Sequence, residues 1–510
     1  MRAVRGPIGR VLVLGLVAGL AFLLVASRAM HRKIDHDEHQ FVASAALLAD
    51  HGLLPYRDYP SFHMPHLVFV NAAFFSLTDH RFFAARLVSA ASAALTIGLL
   101  FTATTAALGA WTSARRLAVG AAAGVLLGAN PLFISTSGRA WNHDLPTLLT
   151  MLAVLVHLAA HGAPARVRIL FAASGFLIGA AAGTRLTYLV AVPAFALTVP
   201  FVRGGRTIRE RGVLLGCHGL GLAVGLLPAL ALLVASPERF VFGNLGYPAL
   251  SAQLLPAMTL REKLRFLNAL VAEPGQLALA IALVLAMPWR TALTSRLDDA
   301  PAFRVRFTLL VALCLLAGAF AVTPSQRQYF YAPVPFVILA AVLGLACRLD
   351  RDDGPGLHAR VLLVAAAVAA AYGYQHYPRY PLRAMDQWQP TRVHKAGLEI
   401  ARQVGRGPVL TLAPIWAIEG GADTYPEMAT GPFAWRTGHL LHPSRRQRLG
   451  IVSPAELREL LRERPPAAIL VGFEGPLEVP FLEYVRERGY RPSKLPGADG
   501  GVLWLEPARQ

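Results

Sequence analysis

Long apolar runs alternate with short polar segments over most of the chain, and after Tyr377 that alternation stops. A mainly apolar run of roughly 17 to 25 residues is the length that crosses a bilayer as a helix. Such runs fall near residues 8–27, 82–107, 117–137, 143–161, 168–184, 186–202, 213–235, 266–287, 305–322, 330–347 and 360–376. They predict a polytopic α-helical membrane protein with about eleven transmembrane helices. The fifth and sixth runs are parted only by Thr184 and Arg185. The stretch 66–78 is apolar but too short to span, and predicts a helix lying in the interface. Residues 1–28 combine a basic start and an apolar run with a poor small-residue cleavage pattern, so a retained anchor is expected rather than a cleaved signal.

Arginine placement tests the span count, because an error of one span would scramble the sign of every later loop. With the amino terminus inside, the cytoplasmic segments hold Arg2, Arg5 and Arg10, then Arg115 and Arg116, Arg166 and Arg168, Arg203, Arg206, Arg209 and Arg211. Arg290, Arg296, Arg304 and Arg306 follow on the same side, and then Arg348, Arg351 and Arg360. Several outer loops carry only one arginine each, Arg139, Arg185 and Arg327. The odd count places the carboxy-terminal region outside, which for a bacterial inner membrane is the extracytoplasmic face. Residues 1–377 therefore read as the membrane domain and 378–510 as a soluble α/β domain on the outer face.

Within that second domain the pattern predicts helices at Arg392–Val404 and Leu482–Arg488, and strands at Val409–Ala413, Ala467–Gly472 and Val502–Leu505. A further helix is opened by Ser453-Pro454-Ala455-Glu456, an N-cap followed by Pro at the first helical position and Glu at the third. No catalytic constellation stands out there. In the membrane domain, Gly175, Gly179 and Gly183 in one span and Gly221 and Gly225 in another have the spacing that lets helices approach closely. Gly219, Gly221 and Gly225 mimic a dinucleotide fingerprint, but no strand precedes them, so packing is the expectation.

Composition agrees with this pattern. The chain is 55% hydrophobic and 15% charged, against about 25% charged for a soluble protein. Its net charge of +19 would suit nucleic acid, but the arginines lie in short clusters between spans, as membrane topology requires, so no nucleic-acid partner is expected. Cys217, Cys314 and Cys347 lie in or beside apolar runs and suggest neither a disulfide framework nor a metal site.

The candidate chemistry gathers at span ends on the outer side. Asp37 and Glu38 follow the first span; Asp37 with Gln40 fits a capping box opening an amphipathic helix, and a carboxylate at the lip of an apolar groove is also a better base. Asp144, in Arg139-Ala140-Trp141-Asn142-His143-Asp144-Leu145-Pro146, is either a helix start or a second functional carboxylate. Asp37 and Asp144 together could hold a divalent cation. His63, His66 and His143 could support such a site or an acceptor, although their spacings match no metal signature. Arg185 and Arg327, the latter in Gln326-Arg327-Gln328-Tyr329-Phe330-Tyr331, are candidate phosphate clamps, with an ion pair to a neighbouring carboxylate as the plainer reading.

Taken in order, Asp37-Glu38 with its amphipathic helix, His63-x-Pro65 with Leu67, Arg86 entering the second span, Arg139 to Pro146, Gly175 to Tyr188 and Arg327 to Pro335 resemble the GT-C glycosyltransferases of the protein O-mannosyltransferase and aminoarabinose transferase type. The resemblance covers roughly residues 30–340 and departs from that family at His66 and at His39-Gln40-Phe41. It implies transfer of a monosaccharide from a polyprenyl-phosphate-linked donor in the membrane lipid to an extracytoplasmic lipid, glycan or protein, with inversion. It further implies Asp37 as base, Glu38 and Asp144 beside it, and Arg185, Arg327 and Tyr329 at the donor phosphate. A multi-span transporter or lipid flippase is the alternative; it would place polar residues at mid-bilayer in internal repeats, whereas these gather at span ends and no repeat is evident.

Overall fold

In a computed structural model of the chain, the described residues are 7–109, 111–201, 207–254, 258–286, 300–349, 356–376, 380–498 and 500–507. The predicted domain boundary at 377/378 lies outside them, as do Arg2, Arg5, Arg203, Arg206, Arg290, Arg296 and Arg351. Helices dominate. The first eight are α1 (Pro7–His31), α2 (His36–His51), α3 (His66–Phe75), α4 (Arg81–Ala107), α5 (Ser113–Gly128), α6 (Pro131–Thr136), α7 (Asp144–Gly162) and α8 (Val167–Thr184).

Among the described residues seven helices are long and apolar enough to cross a membrane, or up to nine if two sharply bent pairs each count as one span. The bent pairs are Ile208–Gly225 with Leu227–Ala235, turning by 60°, and Leu260–Ala272 with Pro274–Leu285, turning by 89°. Pro sits at the first turn of Leu227–Ala235, where its missing N–H and ring break the preceding helix. Of the runs expected to span, the third is divided into α5 and α6 at Asn130-Pro131, and the sixth is a short apolar segment, Leu186–Phe201. Asn130 caps α6 by accepting from the backbone N–H groups of Leu132 and Phe133, so the break is built in locally. The predicted interfacial helix is α3.

The glycine stripes act in packing. A Cβ added at Gly175 or Gly179 would run into the backbone of His218 and Leu222, and one at Gly221 or Gly225 into the backbone of Ala172 and Phe176. Here α8 and Ile208–Gly225 cross backbone to backbone, as small residues permit where lipid gives no hydrophobic drive. Gly219 faces open space.

The C-terminal region carries a four-stranded sheet in the order β1-β2-β4-β3. Strand β1 (Val409–Leu410) pairs in parallel with β2 (Ala468–Val471), β2 pairs antiparallel with β4 (Val502–Leu505) through Ile469 opposite Trp504, and β3 (Arg491–Ser493) pairs antiparallel with β4. Strand β1 stops short of Ala413 because the Thr411 hydroxyl accepts the Ala413 N–H at 3.0 Å and turns the chain. The unforeseen β3 contains Pro492 and is an edge strand, where Pro is tolerated. Helix Gln389–Val404 packs over the sheet. Ser453 and Glu456 bond each other, but residues 454–456 form a turn and the helix begins at Leu457 with Glu456 at its N-cap, three residues later than the expected start at Pro454.

Helix α2 lies between the two predicted domains. Its Val42, Ala46 and Leu47 share one core with Phe82 of α4 and with Val393, Ile400, Ile415 and Trp416 of the C-terminal region. The Ile415 N–H also donates to His39 Nδ1 at 3.4 Å.

Candidate functional site

The site begins with how α2 is held. Its N-cap is Asp35, which accepts from the Asp37 N–H at 3.1 Å, while Glu38 Oε2 accepts from the Asp35 N–H at 2.9 Å. The expected box of Asp37 and Gln40 is therefore displaced by two residues. Glu38 also forms a bidentate pair with Arg86 of α4, at 2.9 and 2.7 Å, with both side chains fully buried. Glu38 Oε1 further accepts the Ala140 N–H at 2.7 Å. Arg86 spends its remaining donors on the carbonyls of Ala29, Arg32 and Lys33 at the end of α1. Both oxygens of Glu38, grouped with Asp37 as a catalytic candidate, are thus engaged in structure.

Asp37 points elsewhere. Its side chain keeps 27% exposure, with His36 at 3.9 Å. Burial, then the Asp35 carboxylate, push its pKa up to about 6, against the pull of His36, Arg185 and Arg436. Arg185 follows α8, donates to Asn142 Oδ1 at 2.6 Å, and approaches His143 Nε2 at 3.3 Å. Its guanidinium lies 4.9 Å from the centroid of the Tyr329 ring, a cation-π contact. His143 stacks on Tyr329 with centroids 6.3 Å apart, and His63 on Phe41 at 5.1 Å. Burial and the Arg185 charge hold His63 down to about 3 and His143 well below the usual imidazole range, so both rings stay neutral near pH 7. The predicted Asp37, His63, His143, Arg185 and Tyr329 therefore form one neighbourhood. Among the described residues, no carboxylate lies within ion-pair distance of Arg185.

Three other predicted residues serve different contacts. Asp144 is fully buried at the start of α7, where Oδ2 accepts the Gly138 N–H at 2.8 Å and Ser137, Tyr331 and Arg32 are its neighbours. Gly138 has φ +83°, and a Cβ there would strike Ala29, so Asp144 fixes a loop that only glycine can make against α1. Arg327 makes a bidentate pair with Glu273, which sits at the elbow of the 89° bend. His66 fills the space left by Gly183, with Nε2 at 2.8 Å from the Gly225 carbonyl, a packing role between spans.

Among the described residues, the carboxylate and imidazole groups that converge closely enough for a cation are Asp35, His36 and Asp37, whose ligand atoms lie within 4.8 Å of one another; Asp144 is not with them. Asp35 is already paired with Arg139 at 3.2 Å. Three ligands, one of them neutralised, make a poor shell for a hard divalent ion that takes about six oxygens. Sequence reasoning missed Arg436 and Tyr247, which meet at 3.4 Å beside the start of α2; nothing in Phe433-Ala434-Trp435-Arg436 marks it out as a site.

No protein-family model and no curated protein matches the sequence. Among solved structures, ArnT from Cupriavidus metallidurans bound to undecaprenyl phosphate matches at 14% identity and TM-score 0.60, covering 99% of each chain. Its apo state matches at 16% identity and TM-score 0.62, covering 98% of each chain. An Archaeoglobus fulgidus oligosaccharyltransferase, AglB, in complex with an inhibitory peptide and a dolichol-phosphate aligns at 12% identity and TM-score 0.48, over 97% of this chain and 74% of that one. At these identities the likeness to ArnT is one of architecture, and it runs the whole length. This chain is an integral membrane protein that shares the fold of ArnT.

Proposed function

We propose that the protein transfers a monosaccharide from a polyprenyl-phosphate carrier to a hydroxyl-bearing acceptor on the extracytoplasmic side. The observation that carries this reading is the nearness of Asp37, a partly buried carboxylate with a raised pKa, to Arg185, a guanidinium that among the described residues has no carboxylate partner. Such a transfer needs a base for the acceptor proton and a cation for the departing phosphate. Asp37 takes the proton, and Arg185, oriented by Asn142, His143 and Tyr329, receives the phosphate. Asp37 is the predicted carboxylate that keeps exposure near Arg185, whereas Glu38 has both oxygens in structural bonds and Asp144 is fully buried, with Oδ2 on the Gly138 N–H and Oδ1 without a hydrogen bond, so a single displacement with inversion, with Asp37 as base, is the mechanism. Glu38 and Arg327 become positioning residues, the first for α2 and the second for the bent helix pair. The fold shared with an ArnT that binds undecaprenyl phosphate supports the choice of donor.

The test is transfer from a panel of radiolabelled undecaprenyl-phosphate sugars by membranes carrying the wild type or Asp37→Asn. Loss of transfer by roughly a hundred- to ten-thousand-fold, the usual worth of a general base, is expected. Wild-type rates in the variant would refute the assignment.

A further inference from the structure

A second cation near Asp37 comes from the C-terminal region, and the reaction outlined above leaves it without a task. Arg436 belongs to the helix Pro432–Gly438. Its guanidinium rests over the Phe433 ring, 4.5 Å from the centroid, and Nη2 reaches the Tyr247 hydroxyl at 3.4 Å. Phe433 in turn meets His36 edge-on at 5.5 Å, which places the group over the first turn of α2. Tyr247 is presented by a π-turn, Phe242–Gly246, and lies flat on Phe62 at 3.8 Å. The bare Gly243 within that turn lets the Ser61 carbonyl come into contact. Single π-turns re-aim the side chains after them and recur at functional sites.

Arg436 is also incompletely satisfied. Arg86, Arg139, Arg327 and Arg446 each sit on a carboxylate. Among the described residues Arg436 has no such partner, and its buried Nε has no hydrogen-bond acceptor. Withdrawing a guanidinium N–H from water without an acceptor is costly, and the planar fork is matched by a carboxylate or a phosphate. Arg185 already stands on the side of the α8 and Tyr329 contacts, where the lipid phosphate is assigned. The carboxylate of Asp37 thus has one unneutralised guanidinium from the spans and a second from the C-terminal region.

We infer that Arg436 is an acceptor-specificity residue, whose guanidinium binds an anionic group, phosphate or carboxylate, carried by the acceptor beside the hydroxyl that Asp37 activates. This rests on the transferase reading above. It makes the C-terminal region part of the acceptor site, and it divides the two cations between two anions: Arg185 grips the group that leaves and Arg436 the molecule that stays.

The test uses full-length protein in nanodiscs saturated with undecaprenyl phosphate, titrated with radiolabelled inorganic phosphate to about 50 mM, a range that detects sites of millimolar affinity. The wild type is expected to bind one further phosphate. Arg436→Gln should weaken that binding at least about tenfold while leaving the lipid's own affinity within about twofold, and Arg436→Lys, a point charge without the fork, should keep part of it. Acetate that displaces the phosphate marks a site open to carboxylates, and failure to displace it marks a phosphate site; either outcome supports an anion-binding Arg436. Absence of a second phosphate in the wild type, or its persistence in Arg436→Gln, overturns the inference. Arg185→Gln is the separate control: if it leaves undecaprenyl phosphate binding intact, the donor assignment falls, whatever Arg436 does. With an acceptor in hand, Arg436→Gln should raise the acceptor KM and leave the donor KM unchanged, a split that general misfolding would not give.

Discussion

Asp37 and Glu38 are adjacent in the chain and opposite in circumstance. One helical step of about 100° turns them to different faces of α2. Glu38 enters a closed pocket where Arg86 and two backbone N–H groups satisfy both of its oxygens. Asp37 keeps some exposure, a repelling carboxylate at Asp35, His36 at 3.9 Å, and two guanidinium groups, Arg185 and Arg436, that approach without an ion-pair contact. A fully partnered charge is chemically inert because its proton affinity is spent on structure. A partly desolvated, under-partnered charge retains affinity for a proton and is available as a base. Arg86 and Arg185 repeat the contrast on the positive side.

The sharpest way to break this comparison is to remove one charge from each half. Asp37→Asn should cost roughly a hundred- to ten-thousand-fold in transfer rate, with no loss of thermal stability in the detergent-solubilised protein; a lowered melting point would blur the distinction. Arg86→Met should do the reverse, destabilising the fold by about 3–5 kcal/mol because Glu38 is left buried and unpaired. The paired change, Arg86→Met with Glu38→Leu, should recover much of that loss, since replacing both partners removes the orphaned charge. Thermal melts of the single and double variants decide this, and a double variant worse than either single would contradict the assignment. Arg185→Gln should weaken undecaprenyl phosphate binding by about tenfold or more, the scale of a lost charge-assisted hydrogen bond, read by lipid titration. The smallest effect is on the pH profile. Asp37 acts as its anion, so kcat/KM should fall as pH drops below about 6 and level off above it; a profile flat down to pH 4 would detach Asp37 from the proton transfer.

Most of the spans were legible because bilayer thickness imposes one length on many segments, but the described residues give seven to nine rather than eleven, since the break at Asn130-Pro131 and the short Leu186–Phe201 segment leave no sign in run length. The glycine stripes were legible because only bare backbone allows such a crossing. The cap of α2 was misread for an instructive reason: Asp35-His36-Asp37-Glu38-His39-Gln40 holds two overlapping capping boxes, Asp35 with Glu38 and Asp37 with Gln40. Local sequence fits both. The choice is made by Arg86 of α4 and Arg139 of the loop before α7, which seize Glu38 and Asp35 from distant parts of the chain. Arg327 was read as a phosphate clamp because the bend that brings Glu273 to it depends on tertiary packing. Arg436 carried no signal because its role exists only where the C-terminal region folds back over α2.

The Arg86 guanidinium closes the carboxyl end of α1 by taking up the carbonyls of Ala29, Arg32 and Lys33, and Arg86 itself belongs to α4. The start of α2, which carries Asp37, is consequently tied to both α1 and α4. A bilayer that thins or thickens would tilt those helices together, and the height of Asp37 above the hydrocarbon would follow the pair as one body. If the proposed transfer holds, turnover should then vary little between vesicles of short and long acyl chains, the protein carrying its own gauge of the membrane surface.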